Sequence, residues 1–115
     1  MKASIAEDYA AAAGQHGECT ERGDYRTGNK AYERIIRALN SLRALPDRGE
    51  EILLSLLNHT DDWVKIWSAT HLLPLRAETA CDALERLAAG GSRHVASDAK
   101  IVLQEWRAGR LTGHR

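Results

Sequence analysis

One pattern occurs twice in this chain: Leu54-x-x-Leu57 … Val64 … Ser68 … Leu72, then Leu84-x-x-Leu87 … Val95 … Ala99 … Leu103. The offset is 30 residues at the leucines and 31 at the later positions. The one-residue drift falls in a turn, where insertions are tolerated. A period of this size is typical of α-solenoid repeats, which usually bind other macromolecules. We therefore expect an all-α chain of stacked antiparallel helix pairs, with its function on a surface.

The composition limits the classes of function. A length of 115 residues predicts a single domain over 1–115 with about six helices. The 16 basic and 16 acidic residues cancel, so nucleic acid is not an expected partner. No apolar run approaches the roughly 18 residues of a membrane span, and residues 1–8 turn acidic too early for a signal peptide. We expect a cytoplasmic protein with reduced thiols at Cys19 and Cys81, without membrane or cofactor.

Helix boundaries in the first half follow from capping residues. Ser4 and Glu7 have the spacing of a capping box, which starts a helix running to about Arg22. Asp24 is a candidate N-cap for a second helix that continues up to Pro46. A short third helix is expected after Gly49. The apolar stripes of the first two helices are Ile5, Tyr9, Ala12, His16, Cys19 and Tyr32, Ile35, Ile36, Leu39, Leu42.

Three further helices are expected in the second half. Thr60 or Asp61 caps the fourth helix, which is apolar almost all round from Trp63 onward and is therefore central or covered. Pro74 ends it, and the fifth helix runs to the glycine pair at 90–91. A sixth helix then starts with Ser92 as its cap and stops at Gly109, which leaves 109–115 as a frayed tail.

The segment 59–69, His-Thr-Asp-Asp-Trp-Val-Lys-Ile-Trp-Ser-Ala, resembles the start of the second helix in HEAT-like repeats, with Lys65 where arginine is more usual. Together with 23–32 and 106–111, it makes the chain similar to a short bacterial HEAT-like family of uncharacterised function. The resemblance implies a right-handed α-α superhelix and no catalytic residues. Small bacterial helical proteins of this kind include immunity proteins encoded beside secreted toxins, which suggests toxin neutralisation by analogy.

Large side chains form a ridge along the fourth helix, because Trp63, Trp67 and His71 recur every fourth residue. Tryptophan is enriched among interface hot spots, since it buries much area at little entropic cost. The alternative is that the ridge fills the core. Core packing is favoured for Trp67, and the two alternatives stay balanced for Trp63, which lies in the first turn.

Charged residues offer two further candidates. Arg26, Lys30, Arg34 and Arg37 share the face of the second helix opposite its apolar stripe and could receive an acidic partner or a phosphate backbone. A solvated face is the favoured interpretation, because Glu33 interrupts them and the chain is neutral. The pairs at 50–51 and 61–62 suit helix starts, and stacking would line them up as an acidic rim for a basic partner.

Metal binding and catalysis have little support. His16 and Cys19 are one turn apart, but a structural zinc site needs about four ligands, and both lie on an apolar stripe. No nucleophile, phosphate-binding or zinc-protease motif is present. We therefore expect neither an enzyme nor a metal site, and no catalytic residue is assigned.

The hypothesis that follows is a protein-binding module, specifically an immunity protein that occludes the active site of a cognate toxin. The repeat offset aligns the starts of the fourth and sixth helices, which defines one edge of the molecule. The predicted partner-binding residues lie on this edge: Asp62, Trp63, Lys65, His71, Arg93 and His94. The alternative is a homo-oligomeric structural or adaptor protein, such as a homodimer, that buries the fourth-helix face against itself.

Overall fold

The computed structural model describes residues 4–111, with the backbone alone at Pro46. This part of the chain contains no strand, which confirms the all-α prediction. The α-α superhelical arrangement stays a prediction. The contacts divide the chain into two compact units, Met1–Ile52 and Leu53–Arg115. The described helices are α1 (Ile5–Arg22), α2 (Tyr25–Arg43), α3 (Pro46–Leu56), α4 (Asp62–Leu72), α5 (Ala77–Gly90) and α6 (Arg93–Arg107).

The first unit begins with the predicted capping box. The Ser4 hydroxyl accepts a hydrogen bond from the Glu7 backbone N–H at 3.1 Å, and the Glu7 carboxylate accepts one from the Ser4 N–H at 3.4 Å. Gly23 ends α1 in the left-handed conformation, with φ of 72°. Asp24 then caps α2 by accepting from the Thr27 N–H at 3.2 Å. The capping box at Ser4 and the Asp24 cap confirm the predicted helix starts. Gly23 and Asp24 together fix the tight reversal between the two helices.

Helices α1 and α2 pack against each other through small residues. A Cβ atom at Gly28 would lie 3.4 Å from the Cβ of Cys19, so the two helices are in van der Waals contact at this position. Tyr9 and Ile35 are fully buried in this interface. The stripes were predicted only in part, since Ile5, His16, Tyr32 and Ile36 are half-buried. The core residues are Tyr9, Ala12, Ala13, Cys19, Ala31, Ile35, Ala38, Leu39 and Leu42.

Helix α3 starts earlier than predicted. It begins at Pro46 rather than after Gly49, which lies buried in the first turn. A Cβ atom at Gly49 would collide with the backbone carbonyl of Leu42. The glycine is therefore required by a close approach of backbone and does not mark a helix boundary. Proline suits the first helical position, because its missing N–H has no partner there in any case.

In the second unit α4 is a core element. Asp61 caps it by accepting from the Trp63 N–H at 2.9 Å, which selects Asp61 over Thr60. Nine of its 11 residues are buried, and it packs on α5 and α6. Ser92 occupies the N-cap position of α6, but its side chain makes no capping hydrogen bond, so that part of the prediction is wrong.

The end of α6 is held by an ion pair. Gly109 has a φ of 74°, which turns the chain so that the guanidinium Nε of Arg110 lies 2.8 Å from Oε2 of Glu105. This hydrogen bond is the main reason that the pKa of Glu105 is lowered and that of Arg110 raised. The rest of the predicted tail, 112–115, lies outside the described residues.

Candidate partner-binding groove

An open groove of about 550 Å³ lies in the second unit, between the start of α4 and the end of α5. Its apolar part includes Leu57 and Leu87, which are equivalent positions of the sequence repeat. Its volume falls within the range of small-ligand and side-chain pockets. The lining residues are Leu57, Asn58, Asp62, Lys65, Ala83, Arg86, Leu87, Gly90 and Gly91.

An ion pair forms the α4 side of the groove. Because Asp61 fixes the first turn of α4, Asp62 and Lys65 fall one turn apart on the same side of the helix. The Lys65 Nζ lies 3.3 Å from the Asp62 Oδ1, and about a third of each side chain is exposed (30% and 37%). A pair this accessible contributes little to folding, below about 1 kcal/mol. The two opposite charges therefore offset each other on this side of the groove.

The α5 side of the groove contains the cation Arg86 and two glycines without side chains. Arg86 is exposed and makes no ion pair with any residue in the range 4–111. At Gly91 a Cβ atom would lie 2.7 Å from both the Leu87 carbonyl oxygen and the Val95 Cγ1, so a side chain there has no room. A Cβ at Gly90 would meet nothing within 4 Å. At the end of α5 a side chain is therefore excluded at position 91 and has space at position 90.

The structure separates the six predicted partner-binding residues into three groups. Asp62 and Lys65 line the groove. Arg93 and His94 are exposed in the first turn of α6, beyond the lining. Trp63 and His71 are buried, with only 7% and 2% of their surface exposed.

Burial of the tryptophan ridge decides the open question about α4. Trp67 is 2% exposed, and its ring centroid lies 5.6 Å from that of His71. The expectation that Trp63 and His71 are accessible anchors is corrected, because side chains enclosed by the protein cannot reach a partner. The core alternative therefore holds for all three members of the ridge. Recognition of a partner along this edge stays a prediction for the other four residues, of which Arg93 and His94 are exposed and Asp62 and Lys65 are half-buried.

The acidic rim is weakened in its second-unit half. Asp61 is engaged by the backbone of its own helix start, and Asp62 is paired with Lys65. Asp62, Lys65 and Arg86 together give the groove lining a net charge of +1. This part of the surface therefore favours an acidic group on a partner over the basic one that the rim predicted.

Seven groove residues were not predicted as partner-binding residues, and one signal in the sequence could have found two of them. The repeat already aligned Leu57 with Leu87 and placed both on inward faces. Periodicity does not show that Arg86 and the glycine pair at 90–91 line the groove. The missed residues that are not leucines are Asn58, Ala83, Arg86, Gly90 and Gly91.

The thiols and histidines form no metal site in the part of the chain that the structure describes: no three His, Cys, Asp or Glu side chains come together there. Cys19 is buried, and its Sγ lies 3.8 Å from Nη2 of Arg22. Burial raises the pKa of the partly exposed Cys81; Arg107 opposes this shift, while Glu85 and Asp82 add to it. Cys81 therefore lacks the lowered pKa of a reactive nucleophile.

Comparisons with protein-family models, with curated proteins and with solved structures find no match for this chain. The HEAT-like resemblance therefore stays a prediction that rests on the residues at 59–69, 23–32 and 106–111. Within residues 4–111 no helix is long and apolar enough to cross a bilayer. The cytoplasmic location, like the expectation that the chain is not an enzyme, stays a prediction.

Proposed function

We propose that this chain is a non-catalytic protein-binding module that docks its partner in the groove between α4 and α5. One observation carries the proposal. The groove lining combines the apolar side chains of Leu57, Ala83 and Leu87, the last two of them buried, with the more accessible charges of Lys65 and Arg86. Apolar centres enclosed by polar rims are characteristic of protein interfaces.

Each part of the groove has a role in this proposal. An apolar side chain of the partner would rest on the apolar part of the lining, where removal from water provides most of the affinity. Arg86, which has no ion pair among the described residues, would receive a carboxylate and set the choice of partner and the association rate. The open space above Gly90 would let the partner's backbone come close to the end of α5.

The more specific proposal is an immunity protein. The chain would cover the active site of a cognate toxin and act by steric occlusion, so no group on the chain would need to take part in chemistry. The similarity of residues 59–69 to HEAT-like repeats supports this form of the proposal, and the position of Asp62 and Lys65 in the groove is consistent with it. The preference of the groove for acidic groups then describes the toxin's contact surface.

A blocking variant tests the docking site. Gly90→Trp adds an indole at a residue that lines the groove, and the backbone accepts the substitution because a Cβ atom there meets nothing within 4 Å. Ser97→Trp adds the same side chain at an exposed position of α6 and serves as the matched control. Tagged forms of the wild type and both variants would be used to isolate partners from the native host. We expect a stoichiometric partner with the wild type and Ser97→Trp, and its loss with Gly90→Trp.

The identity of the partner then tests the immunity proposal. The captured protein should arrest growth when expressed alone and be harmless when this chain is co-expressed. A harmless partner that still requires the groove would keep the binding module and remove immunity. Equal capture by wild type and Gly90→Trp would contradict the docking site. Recovery of this chain alone, with a discrete dimer by light scattering, would favour the homo-oligomeric alternative.

A further inference from the structure

The first unit separates its charges between its two helices. Helix α1 carries four acidic residues and one basic residue, whereas α2 carries five basic residues and one acidic residue. The neutral total of the whole chain hides this division. An exposed positive face therefore exists on a protein whose composition predicts none.

Four cations of α2 share one face of the helix. Arg26, Lys30, Arg34 and Arg37 are all exposed and lie outside the buried stripe of α2, with Arg34 and Arg37 at the edge that reaches α1. At a rise of about 1.5 Å per residue they extend over roughly 16 Å. Arg34 donates a hydrogen bond from Nη1 to Oε1 of Gln15, and the other three make no ion pair with any described residue. Cations that are not neutralised from within the protein attract an extended anion.

A cleft of about 330 Å³ opens beside the carboxyl-terminal half of this face. Arg34 and Arg37 line it together with Ser41, whose hydroxyl donates to the Arg37 carbonyl at 3.2 Å. Asp8 lines the opposite side from α1. The cleft thus combines guanidinium groups, which bind a phosphate, with a carboxylate, which accepts from an amino group. A nucleotide carries both kinds of group.

An exposed aromatic ring precedes the basic face. Tyr25 is 77% exposed and directly precedes Arg26 at the start of α2. A solvated tyrosine next to cations is typical of surfaces that bind single strands, where bases stack on aromatic rings while cations contact the backbone. Burial against α1 does not explain this ring, because it remains largely in water.

We propose that the α2 face binds single-stranded nucleic acid, with the cations from Arg26 to Arg37 along the phosphate backbone and one nucleotide in the Asp8 cleft. A membrane surface fits less well, since interfacial helices insert an apolar face and that of α2 is buried against α1. Glu33 lies at the margin of the face and limits the number of phosphate contacts. This function is independent of the groove in the second unit.

The salt dependence follows from the number of cations. Four phosphate contacts on a single strand predict a logarithmic slope near −2.8, so affinity should fall about 50-fold between 50 and 200 mM salt. Removing two of the four should halve the slope, which leaves a fall of about 7-fold over the same range. The slope therefore counts the contacts that the face makes.

Fluorescence anisotropy with a labelled, mixed-sequence 12-nucleotide single strand, as DNA and as RNA, tests the proposal. The Lys30→Gln/Arg37→Gln variant removes two cations from the face. Arg48→Gln/Lys100→Gln removes the same charge at exposed positions elsewhere and is the matched control. We expect the first variant to bind at least 10-fold more weakly at 50 mM salt with half the slope, and the control to bind like wild type. Tyr25→Ala should weaken single-strand binding without changing the slope.

Several results would overturn the proposal. No anisotropy change at 20 mM salt would remove it, and so would equal losses in both double variants, because net charge alone would then explain binding. Tighter binding to a matched duplex with no effect of Tyr25→Ala would exclude a single-strand site. Sedimentation with phosphatidylserine vesicles but not with the oligonucleotides would assign the face to a membrane instead. Far-ultraviolet circular dichroism checks that each variant is folded.

Discussion

Truncation of Trp63 should unfold this protein far more readily than its position in the first turn of α4 suggests. The side chain is 7% exposed, whereas 37% of the preceding Asp62 side chain is accessible. Trp63→Ala keeps the backbone N–H that Asp61 caps, so the substitution removes the indole and leaves the cap in place. The variant therefore isolates the packing of one side chain.

The expected magnitude follows from burial. Loss of a buried tryptophan costs about 3–5 kcal/mol in transfer free energy and residual cavity, offset by about 0.5 kcal/mol because alanine favours the helix. An unfolding entropy of about 2.1 cal/mol/K per residue over the chain then corresponds to a drop in Tm of about 10 °C or more. Urea unfolding followed by circular dichroism measures the free energy of unfolding directly, and a thermal scan gives the Tm.

Tyr25→Ala is the control, because that ring is 77% exposed and its removal should change the free energy of unfolding by less than about 0.5 kcal/mol. If Trp63→Ala costs less than about 1 kcal/mol, the indole is not part of the core. That result would refute the assignment made from burial and return Trp63 to the list of possible contacts with a partner.

Three further outcomes follow from local geometry. Gly49→Ala should lower the free energy of unfolding by at least about 2 kcal/mol in urea, because the new methyl group collides with the Leu42 carbonyl. Gly90→Ala, the control, should be neutral or slightly stabilising. Similar effects of the two substitutions would contradict the close approach at Gly49. Hydrogen bonds from Thr27 lower the pKa of Asp24 below its ordinary 3.8, so the stability that Asp24 contributes above that pH should decline as the pH falls through the lowered pKa. Tm measured against pH should decline less for Asp24→Asn than for the wild type. Parallel curves for the two proteins would argue against this contribution. At pH 7.5 Cys81 should react with Ellman's reagent more slowly than free cysteine, because its raised pKa leaves little thiolate. The buried Cys19 thiol should react only after denaturant is added. Fast labelling of both thiols in the folded protein would contradict their burial.

Local signals in the sequence were sufficient for most helix boundaries. Ser4 with Glu7, and Asp24 with Thr27, place side-chain acceptors within three residues of the amides they satisfy, so the spacing alone predicts the cap. Ser92 has the backbone of an N-cap but no capping bond, which shows that residue type does not decide side-chain rotation.

Non-local contacts account for the errors. Gly49 looks like a helix boundary in the sequence, but the position needs glycine because a carbonyl from α2 lies against it, and only the folded chain shows that contact. Proline at position 46 offered a competing signal for an earlier start.

The candidate site was predictable only where its residues are local neighbours. Asp62 and Lys65 are one helical turn apart, and both were predicted as partner-binding residues. Arg86 and the glycine pair come from a different helix, and periodicity does not show which α5 residues face α4. Helix α4 is apolar almost all round, so its pattern does not distinguish a buried ridge from an exposed one.

Hydrogen–deuterium exchange of the chain with and without its captured partner tests the docking groove most directly. The proposal predicts slower exchange on binding in two segments, 57–65 and 83–91, because these carry the groove lining. Exchange elsewhere in the second unit should change little. Protection confined to other segments, with 57–65 and 83–91 unaffected, would contradict the proposal that this groove is where a protein partner binds.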